Sequence, residues 1–215
     1  MQRFVVFDQD GTLVNSVQDL LGALNRAVSK RGMAAFTEAE VTPMIGDGAG
    51  RLLQLAFASR GREPDAEVMA ELVADYTAHA AQLSRPYPGV VETLAVLRQQ
   101  GWGMAVCSNK PSAAATAELR GLKLDRFFDF VAGGDSFAVR KPDPGHVLGT
   151  LKACGADPAR SVMVGDHRND VAAARGAGIA SVWARWGYGT DAVEPLAEAQ
   201  AFTDLPDILD RLIPV

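Results

Sequence analysis

The sequence predicts an α/β fold, a doubly wound parallel sheet with an inserted α-helical subdomain, and three observations lead there. Short apolar runs at 4–7, 103–107, 161–164 and 179–183 are continuous rather than alternating, as suits strands covered on both faces of a parallel sheet. Stretches with helical spacing and recognisable ends separate most of them, and strand–helix alternation is the pattern of parallel α/β sheets. One interval, 16–85, breaks the alternation and carries no strand pattern.

Taken in order, Phe4-Val5-Val6-Phe7 reads as a central strand that ends in the carboxylate of Asp8. The interval that follows predicts a helix over Val17 to Lys30, a capping box at Thr37-Glu38-Ala39-Glu40, a glycine-rich turn, and helices over Leu52 to Ser59 and Ala66 to Gln82. Arg85-Pro86-Tyr87-Pro88-Gly89 marks the return, stiffened by two prolines. A helix over Val90 to Gln100 then stops at Gly101, a fitting C-terminal cap, and Pro111 suits the first turn of another helix. Further strands are expected at 103–108, 130–133, 161–166 and 179–183. The expected division is an α/β core of residues 1–15 and 86–215, with a helical cap of residues 16–85 inserted after the first strand.

Composition narrows the function. The 215 residues are 48% apolar and 22% charged, ordinary for a globular chain. Lys and Arg number 21 against 26 Asp and Glu, a net charge of −5 with no basic run, which argues against a nucleic-acid partner. Cys107 and Cys154 form no CxxC and no cluster with histidine, so neither a zinc site nor a disulfide framework is expected. The first eight residues hold an apolar stretch of only four before an acid, and no later run approaches the roughly 20 of a membrane span. A cytoplasmic enzyme with no membrane partner is the expectation.

The chemistry-bearing residues stand at the strand ends, where parallel sheets bind ligands. Asp8-Gln9-Asp10-Gly11-Thr12 offers two carboxylates that could serve as nucleophile and general acid. A calcium loop is a poor alternative, because Leu13 occupies the sixth position where that loop needs glycine. An ordinary acidic turn is the plainer one. Ser108-Asn109-Lys110, Lys141-Pro142-Asp143-Pro144 and Gly165-Asp166 with Asp170 follow later strands. Singly they read as a helix cap, a solvated charge and first-turn acids; together, in order, they make one site.

With these residues the chain resembles the haloacid dehalogenase-like superfamily of phosphohydrolases. The matching motifs are Asp8-x-Asp10-Gly11-Thr12, Ser108, Lys141 and Gly165-Asp166-x-x-x-Asp170, in the family's order, and the insert resembles the family's helical cap. Asn109-Lys110-Pro111, Lys141-Pro142-x-Pro144, Ile45-Gly46-Asp47-Gly48-Ala49 and Trp186-Gly187-Tyr188-Gly189 look most like its phosphoglycolate phosphatase branch. The resemblance implies a Rossmann-like core and a phosphomonoesterase acting on a small phosphate ester, with 2-phosphoglycolate as first candidate. It implies that Asp8 attacks phosphorus, that Asp10 protonates the leaving alcohol and later activates water, and that Lys141, Ser108 and Asn109 bind the phosphate. Mg²⁺ would be held by Asp8, the Asp10 main-chain carbonyl and Asp166, with Asp170 behind them; an oxygen-only set suits that hard cation.

Two residues depart from the resemblance. Gln9 stands where a large apolar residue is usual, and His167 where a small polar one is common; His167 is expected to be a solvated surface histidine. His79 and His146 are isolated, and structural or solvated roles are expected of them. The turn around Gly48, with Arg51 beside it, lacks a Walker or dinucleotide spacing but could bind an anionic substrate tail; a plain turn with a solvated arginine is the alternative. Rival activities are a phosphosugar mutase, phosphatases for sugar phosphates, nucleotides or pyrophosphate, and a receiver-like phospho-switch. Monomer and homodimer both stay open.

Overall fold

The computed structural model describes residues 2–190 and 194–215; Met1 and residues 191–193, which fall in the expected core, lie outside the described residues. In chain order the elements are β1 (Phe4–Phe7), β2 (Val14–Asn15), α1 (Val17–Ser29), α2 (Glu38–Val41), α3 (Ala49–Ala58), α4 (Val68–Ala78), β3 (Arg85–Pro86), α5 (Val90–Gln99), β4 (Gly103–Cys107), α6 (Ser112–Gly121), β5 (Phe130–Ala132), α7 (Pro144–Ala153), β6 (Ser161–Gly165), α8 (Arg168–Ala177), β7 (Ala180–Ala184), β8 (Ala197–Ala199) and α9 (Leu205–Leu212).

Six strands form one parallel sheet in the order β5-β4-β1-β6-β7-β8. The apolar runs explain it. Val5 and Phe7 of β1 pack on one face with Leu94, Leu97, Leu205 and Leu209, while Phe4 and Val6 pack on the other with Val147, Leu151, Ala173 and Ala174. Successive residues of a strand point to opposite faces, so a strand covered on both must be apolar throughout. The register aligns Phe7 with Val106 of β4 and with Val164 of β6. Asp8, Ser108 and Asp166 therefore leave three adjacent strands at nearly the same level, where the strand order changes direction about β1.

Helices α1 to α4 make an apolar cluster of their own, with Leu24, Leu53, Phe57 and Leu72 at its centre, joined by Ala114 from α6. On α1, Val17, Leu20, Leu24 and Val28 recur at the three- and four-residue steps that make one helical face. The capping box at Thr37 is formed: the Glu40 carboxylate accepts from Thr37 N–H at 2.8 Å, and the Thr37 hydroxyl accepts from Glu40 N–H at 3.4 Å.

The sequence reading needs several corrections. Strand β3 begins at Arg85, inside the interval expected to be free of strands, and pairs antiparallel with β2 where the chain enters and leaves the insert. A pairing of two residues has no alternation to announce it. Pro111 precedes α6 rather than lying in its first turn, with extended ψ of 135°. Helix α4 starts at Val68, later than Ala66, because the Asp65 carboxylate accepts from Glu67 and Val68 N–H. Strand β8 and helix α9 complete the fold beyond the predicted elements. Among the described residues no helix is long and apolar enough to cross a membrane.

Candidate active site

Asp8 at the end of β1 is buried, and one carboxylate oxygen lies 3.0 Å from the Lys141 ammonium and accepts from Gln9 N–H at 2.7 Å. Lys141, in the loop before α7, also donates to Asp170 Oδ1 at 2.6 Å. The other Asp170 oxygen accepts from His167 N–H at 2.9 Å, which fixes it in the first turn of α8. Asp166, after β6, accepts from the Thr12 hydroxyl at 2.9 Å and from Tyr188 N–H at 2.7 Å. Gly11 is required here: its φ is +85°, and a Cβ on it would stand 2.2 Å from an Asp166 oxygen. Lys141 is 2% exposed, so the solvated-charge alternative fails for it.

Burial governs the charges. It lifts the Asp8 carboxyl to about 6, with Lys141 opposing and Asp170 and Asp10 adding to the rise. It lifts Asp166 to about 8, reinforced by the negative charges of Asp8 and Asp170. Burial works against the Lys141 ammonium as well, but Asp170 and Asp8 outweigh it and hold the lysine above its ordinary value. One ammonium thus faces three carboxylates, and oxygens of Asp8, Asp166 and Asp170 lie within 4.8 Å of one another. An all-oxygen, buried and under-neutralised cluster fits Mg²⁺, which prefers hard oxygen ligands. The Asp10 carboxylate stands apart from this cluster and turns to other partners: the Ser16 hydroxyl at 2.5 Å and the Lys110 ammonium at 3.0 Å.

Lys110, which sequence reasoning used only in a motif match, is brought by the structure into this group beside Asp10. It is 4% exposed, and its ammonium also donates to Glu118 Oε2 at 2.6 Å and to the Tyr76 hydroxyl at 2.5 Å. Gln9 joins the same group through its amide, which donates to Glu118 Oε2 at 2.6 Å. Ser108 and Asn109 are buried beside it; Ser108 Oγ accepts from Lys110 N–H at 3.3 Å. A faint signal existed in the sequence: Gln9 and Glu118 are polar residues at positions that pattern alone would make apolar or exposed.

The turn of residues 46–48 sits directly on the strand ends. Asn109 Nδ2 donates to the Gly46 carbonyl at 2.9 Å, Asn169 Nδ2 donates to Asp47 at 2.7 Å, and Arg168 pairs with Asp47 at 3.0 Å. An inner pocket of about 40 Å³ lies beneath it, with Asp8, Asp10 and Lys110 on one side and Leu52, Leu72 and Tyr76 on the other; Gly48, Ser108 and Asn109 also line it. Arg51 is elsewhere: it lines a wider outer cleft of about 400 Å³ with Gln54 and Arg140, while Lys141 borders both groups of residues.

His167 corrects the expectation of a solvated side chain. It is half-buried, its Nδ1 accepts from Asn169 N–H at 3.3 Å as the cap of α8, and its ring packs so near Gly46 that a Cβ there would be 2.4 Å away. His146 is structural: buried, it accepts from Lys141 N–H at 3.2 Å and meets the Gly133 carbonyl at 3.1 Å, and burial with Lys141 nearby lowers its pKa to about 4. His79, just past α4, is half-buried, with its Nδ1 at 2.8 Å from the Asp75 carbonyl and 3.3 Å from the Asp75 carboxylate.

The sequence profile of haloacid dehalogenase-like hydrolases matches residues 5–184, most of the sheet and every carboxylate and lysine of this site. The chain belongs to that family. It is 41% identical to a phosphoglycolate phosphatase of Agrobacterium fabrum, over 99% of this chain and 95% of that protein. A phosphoglycolate phosphatase of Cereibacter sphaeroides (strain ATCC 17029) is 40% identical, over 97% of this chain and 98% of its own. A solved crystal structure described as a predicted phosphoglycolate phosphatase from Haemophilus somnus 129pt superposes with a TM-score of 0.88, at 31% identity, covering 96% of this chain and 97% of that one. This kinship bears out the expected family, fold and phosphomonoester hydrolase class.

Proposed function

We propose that the protein hydrolyses a small phosphate monoester, 2-phosphoglycolate first among candidates, through an aspartyl-phosphate on Asp8. The observation that carries the reading is that Asp8 and Asp10 line one small pocket while Lys141, Asp166 and Asp170 gather behind Asp8 in a single buried cluster. The names of the relatives at about 40% identity support the choice of ester.

In the first half-reaction an Asp8 oxygen bonds to phosphorus as the ester P–O bond breaks, and Asp10 gives its proton to the departing alkoxide. In the second, the Asp10 carboxylate takes a proton from a water that attacks the same phosphorus; the acyl-phosphate bond breaks, freeing inorganic phosphate and restoring Asp8. Lys141 offsets the charge of nucleophile and phosphate, and Ser108 with the Asn109 N–H orients the phosphoryl oxygens, the positioning and charge stabilisation on which phosphoryl transfer depends. Mg²⁺, held by Asp8, Asp166 and the Asp10 main-chain carbonyl with Asp170 behind them, would supply further positive charge against the phosphate when bound.

Residues 16–85 serve in this reading as a cap over a core of 1–15 and 86–215. Gly48 closes the inner pocket, and Arg51 offers its charge to the outer part of an anionic ester. The unpaired state of Cys107 and Cys154 suits a cytoplasmic setting. The test is release of inorganic phosphate from a panel of 2-phosphoglycolate, sugar phosphates, nucleotides and pyrophosphate, with and without chelator. Turnover undiminished in excess chelator, or no release from any ester, would refute it. Arg51→Ala should weaken 2-phosphoglycolate more than an uncharged aryl phosphate; equal effects would remove Arg51 from the site.

A further inference from the structure

We propose that Lys110 is a positioning residue for Asp10: it holds one carboxyl oxygen in a buried network and leaves the other for the reacting atoms, and the Tyr76 hydroxyl from α4 completes its shell. The inference rests on reading Asp10 as the proton donor.

An ammonium has three N–H donors, and the three acceptors around Lys110 Nζ are Asp10 Oδ1 at 3.0 Å, Glu118 Oε2 at 2.6 Å and the Tyr76 hydroxyl at 2.5 Å. The Tyr76 ring also faces the ammonium at 4.2 Å from its centroid. Asp10 Oδ1 receives a second donor, the Ser16 hydroxyl at 2.5 Å. Among the described residues no hydrogen bond engages Asp10 Oδ2. With Oδ1 held by a cation and a hydroxyl, Oδ2 is the oxygen left to meet the substrate. Asp10 and Asp8 line the same pocket, where nucleophile and proton donor meet one ester.

The rest of the network holds Lys110 in place. Glu118 is fully buried and accepts from Lys110, from the Gln9 amide at 2.6 Å and, at its other oxygen, from the Ser84 hydroxyl at 2.8 Å. Gln9 thereby acquires a purpose that an apolar residue could not serve, since only a donor can satisfy a buried carboxylate at that place. Tyr76 is the member contributed by the inserted helices, so their seating over the strand ends and the aim of Asp10 are joined through one ammonium.

The test compares leaving groups in the first half-reaction, read as the single-turnover rate of alcohol or phenol release, which leaves out the hydrolysis step that both esters share. An alkyl ester such as 2-phosphoglycolate needs a proton on its departing oxygen, whereas p-nitrophenyl phosphate leaves as a stabilised phenolate and needs it little. Lys110→Met combined with Glu118→Gln removes both buried charges together, so that neither is stranded. This variant should lose that rate on 2-phosphoglycolate by about 100-fold or more, the usual scale of general acid catalysis, and on p-nitrophenyl phosphate by less than about tenfold. Tyr76→Phe keeps the ring and removes one acceptor. It should lose roughly five- to twentyfold on the alkyl ester alone, a modest part of the general-acid contribution. Equal losses on both esters, or none on the alkyl ester, in either variant would overturn the proposal, and Tyr76→Phe decides the matter should the double variant not fold. Asp10→Asn separates the two levels of argument: a selective loss on the alkyl ester supports the underlying reading, whereas equal loss on both esters removes that reading and the proposal with it.

Discussion

Asp166→Asn should make the metal-free protein more stable at alkaline pH. Burial and the neighbouring charges of Asp8 and Asp170 raise the Asp166 carboxyl from 3.8 to about 8. The folded protein therefore keeps a proton that the unfolded chain has released, and stability falls as pH rises from about 4 through about 8, with a smaller loss from Asp8 up to about 6. At roughly 1.4 kcal/mol per pKa unit, the full ionisation of Asp166 costs up to about 6 kcal/mol. Coupling to Asp8, relaxation of the loop and the amide's poorer fit to the Tyr188 N–H reduce the recoverable part to about 2 kcal/mol. For a chain of this size that is about 4–8 °C in Tm. The assay is thermal unfolding in excess chelator at pH 5 and pH 8.5, repeated with Mg²⁺. Wild type should lose stability between the two pH values and regain it with Mg²⁺, because a ligand of the native state alone stabilises by mass action. Asp166→Asn should melt higher than wild type at pH 8.5 in chelator and respond weakly to Mg²⁺. A wild-type melting point independent of pH and Mg²⁺, or an Asp166→Asn protein less stable than wild type at pH 8.5, would refute the reasoning.

Asp8→Asn should leave less than about 1% of phosphate release, a loss above about 2.7 kcal/mol in transition-state stabilisation, with an unchanged far-ultraviolet circular dichroism spectrum. Gly11→Ala would force a Cβ against Asp166 at a positive φ; the Mg²⁺ concentration for half-maximal activity should rise by about tenfold or more, read from a metal titration. Thr37→Ala removes half of a capping box far from the strand ends and should cost about 1 kcal/mol in denaturant unfolding while kcat stays unchanged.

Much of the site could be read from the chain because parallel strands announce both their position and their ends. Val5, Val106 and Val164 belong to runs that are apolar without alternation, and a carboxylate or hydroxyl ends each run, so Asp8, Ser108 and Asp166 were assigned to one edge before any coordinates. Lys141 and Asp170 stand out through their place after predicted strands and through the family resemblance, and the structure brings them to 2.6 Å. What the chain hid were contacts that no local period encodes. Glu118 lies in an alanine-rich helix whose small residues give little sense of which side is inward, and its burial follows from Lys110, Gln9 and Ser84 converging from three separate segments. His167 was misjudged because an imidazole is an unusual helix cap, and because its burial comes from Gly46, distant in sequence. Arg51 was assigned to the substrate by proximity to Gly48, yet one turn of α3 carries it from the inner pocket to the outer cleft.

The junction between the inserted helices and the strand ends is built differently from the interiors on either side. Within the insert, Leu24, Leu53, Phe57 and Leu72 are almost wholly buried, and at about 1.5–3 kcal/mol for each such side chain they alone represent roughly 6–12 kcal/mol of cohesion. Across the junction, the turn at residues 46–48 is held by the bonds from Asn109 and Asn169 and by the Arg168–Asp47 pair, each worth about 1 kcal/mol net, while α4 touches α6 through small apolar residues. Separating the turn from the strand ends therefore costs about 3 kcal/mol before the α4–α6 contact is counted, well below the cost of melting the insert. The closeness of that seam also explains its glycines: a Cβ on Gly46 would stand 2.4 Å from the His167 ring and one on Gly48 2.9 Å from the Asn109 carbonyl. A seam that is weak, polar and glycine-lined suits a pocket that must admit an ester and then exclude water, whereas the Lys110–Tyr76, Ser16–Asp10 and Ser84–Glu118 contacts beneath it draw the two sides together.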